Sequence, residues 1–192
     1  MLRLLSVLAL ILASGALATG LHAQPVSVRT AGSQITYAGT SALHDWTGTS
    51  RRVTGTVDLD RSAPARSSFT IQAPVSSFDS GNGTRDRKMR EATEASRFPT
   101  VRFASRSIQV RSWSGSAGAR SGRWRVTGDL TFHGRTRRVS VNVEARESRG
   151  RFIATGTFPI SLAAYGVERP GIGPVKIGDQ ITLSFEIVAP LQ

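Results

Sequence analysis

Residues 123–145 read RWRVTGDLTFHGRTRRVSVNVEA. From Trp124 to Phe132 an apolar or small side chain returns at every second position, and the same period resumes from Val139 to Ala145. A repeat of two places alternate side chains on opposite faces of an extended chain, whereas a helix would repeat every 3.6 residues. Between the two runs stands His133-Gly134-Arg135-Thr136, whose glycine suits a tight turn. The stretch therefore predicts an antiparallel hairpin pairing Trp124–Phe132 with Arg138–Ala145.

The alternation spreads outward from this hairpin. It runs through Arg52–Leu59, Ser68–Ala73, Val101–Val110, Phe152–Ile160 and Gln180–Val188, each a half-buried strand. Many short strands with frequent glycine-bearing turns predict a sandwich or a barrel. One interval departs from the pattern. The glycine-rich turn Asp79-Ser80-Gly81-Asn82-Gly83 leads to Thr84 as an N-cap, Asp86 follows in the first turn, and Met89 and Ala92 share a face. With Phe98-Pro99 ending the segment, it predicts one short amphipathic helix.

The chain starts with Arg3, an apolar run from Leu4 to Leu12 and then small residues, the order of a secretory signal peptide. Cleavage after Ala18 or Ala23 fits the small residues there, and residues 1–23 are read as a leader before a single domain at 24–192. The apolar run is shorter than the roughly 20 residues of a spanning helix, so removal is expected, with a periplasmic or secreted location. Loss of residues 1–23 removes Arg3 alone and lowers the formal charge of +12 by one. The absence of cysteine means that the fold holds by its core and not by disulfides.

A basic surface invites polyanions, but the arginines are scattered and are not interleaved with stacking aromatics, so no specific nucleic-acid role is read. His22, His44 and His133 show no metal-ligand spacing, so no metal and no cofactor are assigned. No Gly-x-Ser-x-Gly elbow is present, and His44 beside Asp45 on a strand would point to the opposite face. No catalytic residues are assigned. Gly81 and Gly83 fit neither a dinucleotide fingerprint nor a phosphate loop. Binding inside the fold remains. Phe69, Ile71, Val101, Phe103, Leu130, Phe132, Phe158, Leu183 and Phe185 hold the inward phase of their strands, which fits either a packed core or an apolar cavity.

Several motifs taken together resemble the YceI family of exported lipid-binding proteins. They are Thr40-Ser41-Ala42-Leu43-His44-Asp45-Trp46; Val75-Ser76-Ser77-Phe78-Asp79-Ser80-Gly81 running into Arg85-Asp86-Arg87-Lys88-Met89; Arg97-Phe98-Pro99-Thr100-Val101-Arg102-Phe103; Gly128 to Thr136; and Gly178-Asp179-Gln180-Ile181-Thr182-Leu183-Ser184-Phe185. They span Gln34 to Val188. The family often carries paired aromatics before the Phe-Pro strand. Here Glu94-Ala95-Ser96 stand in that place, which leaves the shape of the tunnel mouth and the ligand unspecified.

The resemblance implies an all-β fold, an extended antiparallel, lipocalin-like barrel of eight strands with one short helix at its side. It also implies a non-enzymatic protein holding a polyisoprenoid, an isoprenoid quinone or another long-chain amphiphile in an apolar tunnel, as a carrier or sequestering protein. The nine inward residues and Trp46 are then the expected ligand-binding set, with His44 and Asp45 as candidate head-group contacts or as satisfied polar groups at a bend. Transient contact with a membrane surface fits the charge, and a homodimer is left open. The alternative is a basic envelope-interaction protein with a filled barrel that binds anionic surfaces. A hydrolase using His44 ranks third.

Overall fold

The computed structural model describes residues 26–28, 31–40, 45–169, 171–172 and 175–191; the leader reading at 1–23 and His44 lie outside them. The strands are β1 (Val26–Ser27), β2 (Gln34–Thr40), β3 (Asp45–Ser50), β4 (Thr54–Asp58), β5 (Ser68–Pro74), β6 (Thr100–Val110), β7 (Ser121–Phe132), β8 (Arg135–Ser148), β9 (Arg151–Ser161), β10 (Gly171–Ile172), β11 (Val175–Lys176) and β12 (Gln180–Pro190). One helix, α1 (Gly83–Ala92), lies between β5 and β6. Ten strands form one antiparallel sheet in the order β1-β4-β5-β6-β7-β8-β9-β12-β2-β3, and β10 and β11 pair as a separate ribbon. The sheet curls on itself, with β1 and β3 at its edges.

The count of eight strands is thus corrected to ten in the sheet. β1 contributes only two residues, opposite Val57 and Thr56, too few for any periodic signal. β3 reads DWTGTS and has one large apolar side chain, so alternation does not reveal it. It pairs with all of Ile35–Thr40, and Thr49 also exchanges backbone hydrogen bonds with Asp79, which ties this edge to the segment before α1.

The β7–β8 hairpin is longer than its predicted core, running from Ser121↔Arg146 to Phe132↔Arg135 around the two-residue turn His133-Gly134. Both turn residues have positive φ, 49° and 70°, the twist a two-residue hairpin favours. A histidine in this conformation is held by its surroundings. Its Nδ1 lies 3.0 Å from the Tyr165 carbonyl oxygen, its Nε2 lies 3.1 Å from Glu94 Oε1, and its ring meets Phe98 edge-on.

Helix α1 is capped two residues earlier than the sequence suggests. Asn82, not Thr84, is the N-cap, its side-chain oxygen accepting from Arg85 N at 3.0 Å. Arg85 is the third residue of the helix, so its amide has no acceptor within the helix and takes that bond. Asp86 is buried and accepts from Ser80 N, so it holds the turn that feeds the helix.

One end of the curled sheet is packed solid. Trp124 is 1% exposed, stacks with Phe152 at 5.6 Å and meets Trp113 edge-on at 5.1 Å, and Phe69 lies on Phe152 at 6.0 Å. Phe132 lies eight residues further along β7, roughly 27 Å at strand rise, beside Tyr165 and within the cluster that Met89 of α1 joins.

Candidate functional site

Between the aromatic plug and α1 the inner face of the sheet encloses a cavity of about 580 Å³, within the size range of small-molecule sites. Its wall alternates as the strand period demands. Phe69 and Ile71 come from β5, Val101 and Phe103 from β6, Val126, Leu130 and Phe132 from β7, Phe158 and Ile160 from β9, and Leu183 and Phe185 from β12. Trp46 enters from β3. All nine inward positions read from the sequence and Trp46 therefore border one space. Asp45 does not; it is exposed on the opposite face of β3, the arrangement that adjacent strand residues must take. His44 lies outside the described residues.

Strands with this many inward phenylalanines could fill such a space. They leave it open because of four glycines. Gly48 stands directly opposite Tyr37, Gly39 opposite Trp46, and Gly156 opposite Phe185, while Gly128 lies diagonal to Phe103. Each ring lies down over its glycine. A Cβ built on Gly48 would come 2.5 Å from the Tyr37 ring, on Gly39 2.8 Å from Trp46, and on Gly156 2.7 Å from Phe185. The rings thus coat the wall and do not project across the lumen. These glycines sit inside strands, where the usual expectation is a bulge or a close approach.

Tyr37 apart, the polar part of the lining comes from one element. Asn82, Thr84, Arg85, Lys88 and Thr93 all belong to α1 or its caps, and among the described lining residues Arg85 and Lys88 are the charged ones. Sequence reasoning did not single them out. The available signal was the helical face of Met89 and Ala92, since Arg85 and Lys88 each precede one of these by four residues and share its side of the helix. Tyr37 also borders the cavity. It is 9% exposed, its hydroxyl has no hydrogen-bond partner among the described residues, and burial, with a smaller contribution from Asp86, pushes its pKa up.

A curled antiparallel sheet around an apolar cavity, with one helix across it, matches a known family. The profile of the YceI-like domain covers residues 27–189. The chain belongs to the YceI-like family. A UPF0312 protein of Pseudomonas savastanoi pv. phaseolicola is 26% identical over 161 residues, 80% of this chain and 77% of that protein. Another UPF0312 protein, from Pseudomonas putida F1, is 28% identical over 148 residues, 72% and 70% of the two chains. Among solved structures, BcnA of Burkholderia cenocepacia superposes with a TM-score of 0.70 at 23% identity, covering 84% of this chain and 99% of its own. A polyisoprenoid binding domain from Saccharophagus degradans gives a TM-score of 0.69 at 13% identity, covering 88% and 100%. The two solved structures share the fold over 84% and 88% of this chain.

Proposed function

We propose that this protein is an exported binding protein that holds a polyisoprenoid or a similar long-chain amphiphile, isoprenoid quinones included, in the cavity and acts as a carrier or sequestering protein. The observation that carries the reading is the continuous apolar wall from Phe69 to Leu183, closed at one end by Trp124 and Phe152. The family and the fold shared with a domain described as polyisoprenoid binding support it. A prenyl chain leaving a bilayer exchanges one hydrocarbon environment for another and gains little, so the receiving wall must be continuously apolar. Relative to water, burial is worth about 0.8 kcal/mol per methylene, which keeps the complex together in an aqueous compartment.

The signal-peptide-like order of residues 1–23 supports the exported location, and the fold shared with a domain described as polyisoprenoid binding supports a binding role. Organic extraction of protein purified from its native compartment, followed by mass spectrometry, tests the reading. A prenyl lipid in stoichiometric amount is the expected result. Folded protein that carries no lipid and takes up none from prenyl-lipid vesicles would overturn it.

A further inference from the structure

We propose that the outer face of β6, β7 and β8 is the surface by which the protein docks on an anionic bilayer, where its ligand crosses between membrane and cavity. The docking stands on charge and geometry; its purpose rests on the lipid-binding reading. Arginines that lie apart in sequence are gathered by the fold. Among the ten strands of the sheet every basic side chain stands on β6, β7 or β8, save Arg151 at the first position of β9. The charged residues that the wall of β12, β2 and β3 turns outward are Glu186 and Asp45 instead. The sheet is thus basic on one side and not on the other.

Register places the charges. Trp124, Val126, Leu130 and Phe132 take the buried phase of β7, so Arg123, Arg125 and Asp129 take the outward one. Glu144, Asn142 and Arg138 of β8 stand opposite them, and Arg146 follows on the same face. From β6, Arg102 lies across from Thr131, and Arg106 reaches Asp129 beside the bulge. Asp129 accepts from Arg106 and Arg138 alike, both at 2.7 Å, so that trio keeps a net positive charge. Arg102, Arg123, Arg125 and Arg146 are exposed and form no ion pair among the described residues. Six arginines against two carboxylates give this face a strongly positive potential.

The chemistry between the arginines selects the partner. The other outward residues of these strands are alanine, serine, threonine, glutamine and asparagine. Without an aromatic ring the face has nothing to stack on nucleic-acid bases, and without a large apolar side chain it has nothing to insert into hydrocarbon. What remains is superficial attachment to an extended negative surface, the property of an anionic head-group layer. The face begins beside the His133-Gly134 turn, at the end where Met89 of α1 joins the Leu130–Phe132 cluster, so a protein resting on it brings the helix end of the cavity to the edge of the contact.

The test is co-sedimentation of the full folded protein with phosphatidylcholine vesicles, with and without phosphatidylglycerol. Binding to the anionic vesicles is expected to be about tenfold tighter or more. Arg123→Gln/Arg125→Gln should weaken it by about thirtyfold, roughly fivefold for each arginine near the surface. Arg51→Gln/Arg52→Gln removes the same charge from the exposed segment between β3 and β4, off the face, and should weaken it far less. Equal binding to both kinds of vesicle, or equal losses in the two variants, would overturn the docking face, while prenyl lipid recovered by extraction would leave the lipid-binding reading intact. Anionic-vesicle binding that falls in the face variant, in a protein that takes up no prenyl lipid, would uphold the face and overturn the lipid reading. An oligonucleotide that binds more tightly than the vesicles and loses its affinity in the face variant would assign the face to nucleic acid and overturn the membrane.

Discussion

Glu147 is the most completely buried carboxylate among the described residues, and its partners explain why it stays charged. It accepts from Arg61 Nε at 2.8 Å, Arg61 Nη2 at 3.1 Å and Gly118 N at 2.6 Å. The Arg61 hydrogen bonds, above all, hold its pKa below the usual glutamate range. A carboxyl with a lowered folded-state pKa stabilises the fold at pH values above its unfolded pKa of about 4.3, and the contribution is lost as pH falls through the folded value. Glu147→Gln is therefore expected to lower stability by about 1–3 kcal/mol at neutral pH, with the gap to the natural protein closing below about pH 4 in denaturant titrations. Phenylalanines that border the cavity respond differently from plug residues. Trp124→Ala removes a ring packed on every side and should cost about 3–5 kcal/mol. Phe132→Ala should cost measurably less, because one side of its ring already faces open volume. Equal losses in the same unfolding experiment would show that Phe132 belongs to an ordinary core.

At the level of elements, the pairing of β2 with β3 decides whether the cavity is hollow. Tyr37 and Trp46 lie flat because Gly48 and Gly39 face them across the two strands. Gly48→Val would place a branched side chain where the Tyr37 ring lies and turn that ring into the lumen. The sheet should survive at a cost of about 1–3 kcal/mol, the usual range for overpacking. Prenyl-lipid retention per folded molecule should drop severalfold, measured by extraction after refolding in the presence of lipid. Retention at the natural level, with the same loss of stability, would mean that the ring finds another place on the wall. The helix works in the opposite sense. Asn82 and Asp86 fix where α1 starts, and the start fixes which of its residues look into the cavity.

For the whole molecule, the net charge of +12 and the apolar cavity make separate claims about binding. Attachment to anionic vesicles through exposed arginines should weaken steeply as salt rises, since the screening length is about 10 Å at 0.1 M. Retention of a neutral prenyl lipid inside the sheet should change little over the same range. Measuring both by co-sedimentation and extraction separates carrier from surface binder, and retention that falls in step with vesicle binding would favour the surface. The alternation from Trp124 to Ala145 determined the hairpin, the all-β class and the inward phase of Phe69, Phe103, Leu130 and Phe185, because a period of two is a local property of the chain. The same locality hid β1, too short to repeat, and β3, too polar to alternate. Whether the inward residues fill the interior or line it was decided only by tertiary structure. Gly48 and Tyr37 are eleven residues apart and Gly156 and Phe185 far more, so only the register that sets each ring over its glycine shows that the rings lie down. The charges at the mouth are settled in the same way, since Arg85 and Lys88 face the cavity only because α1 lies across the open end of a sheet whose strands are drawn from the entire domain.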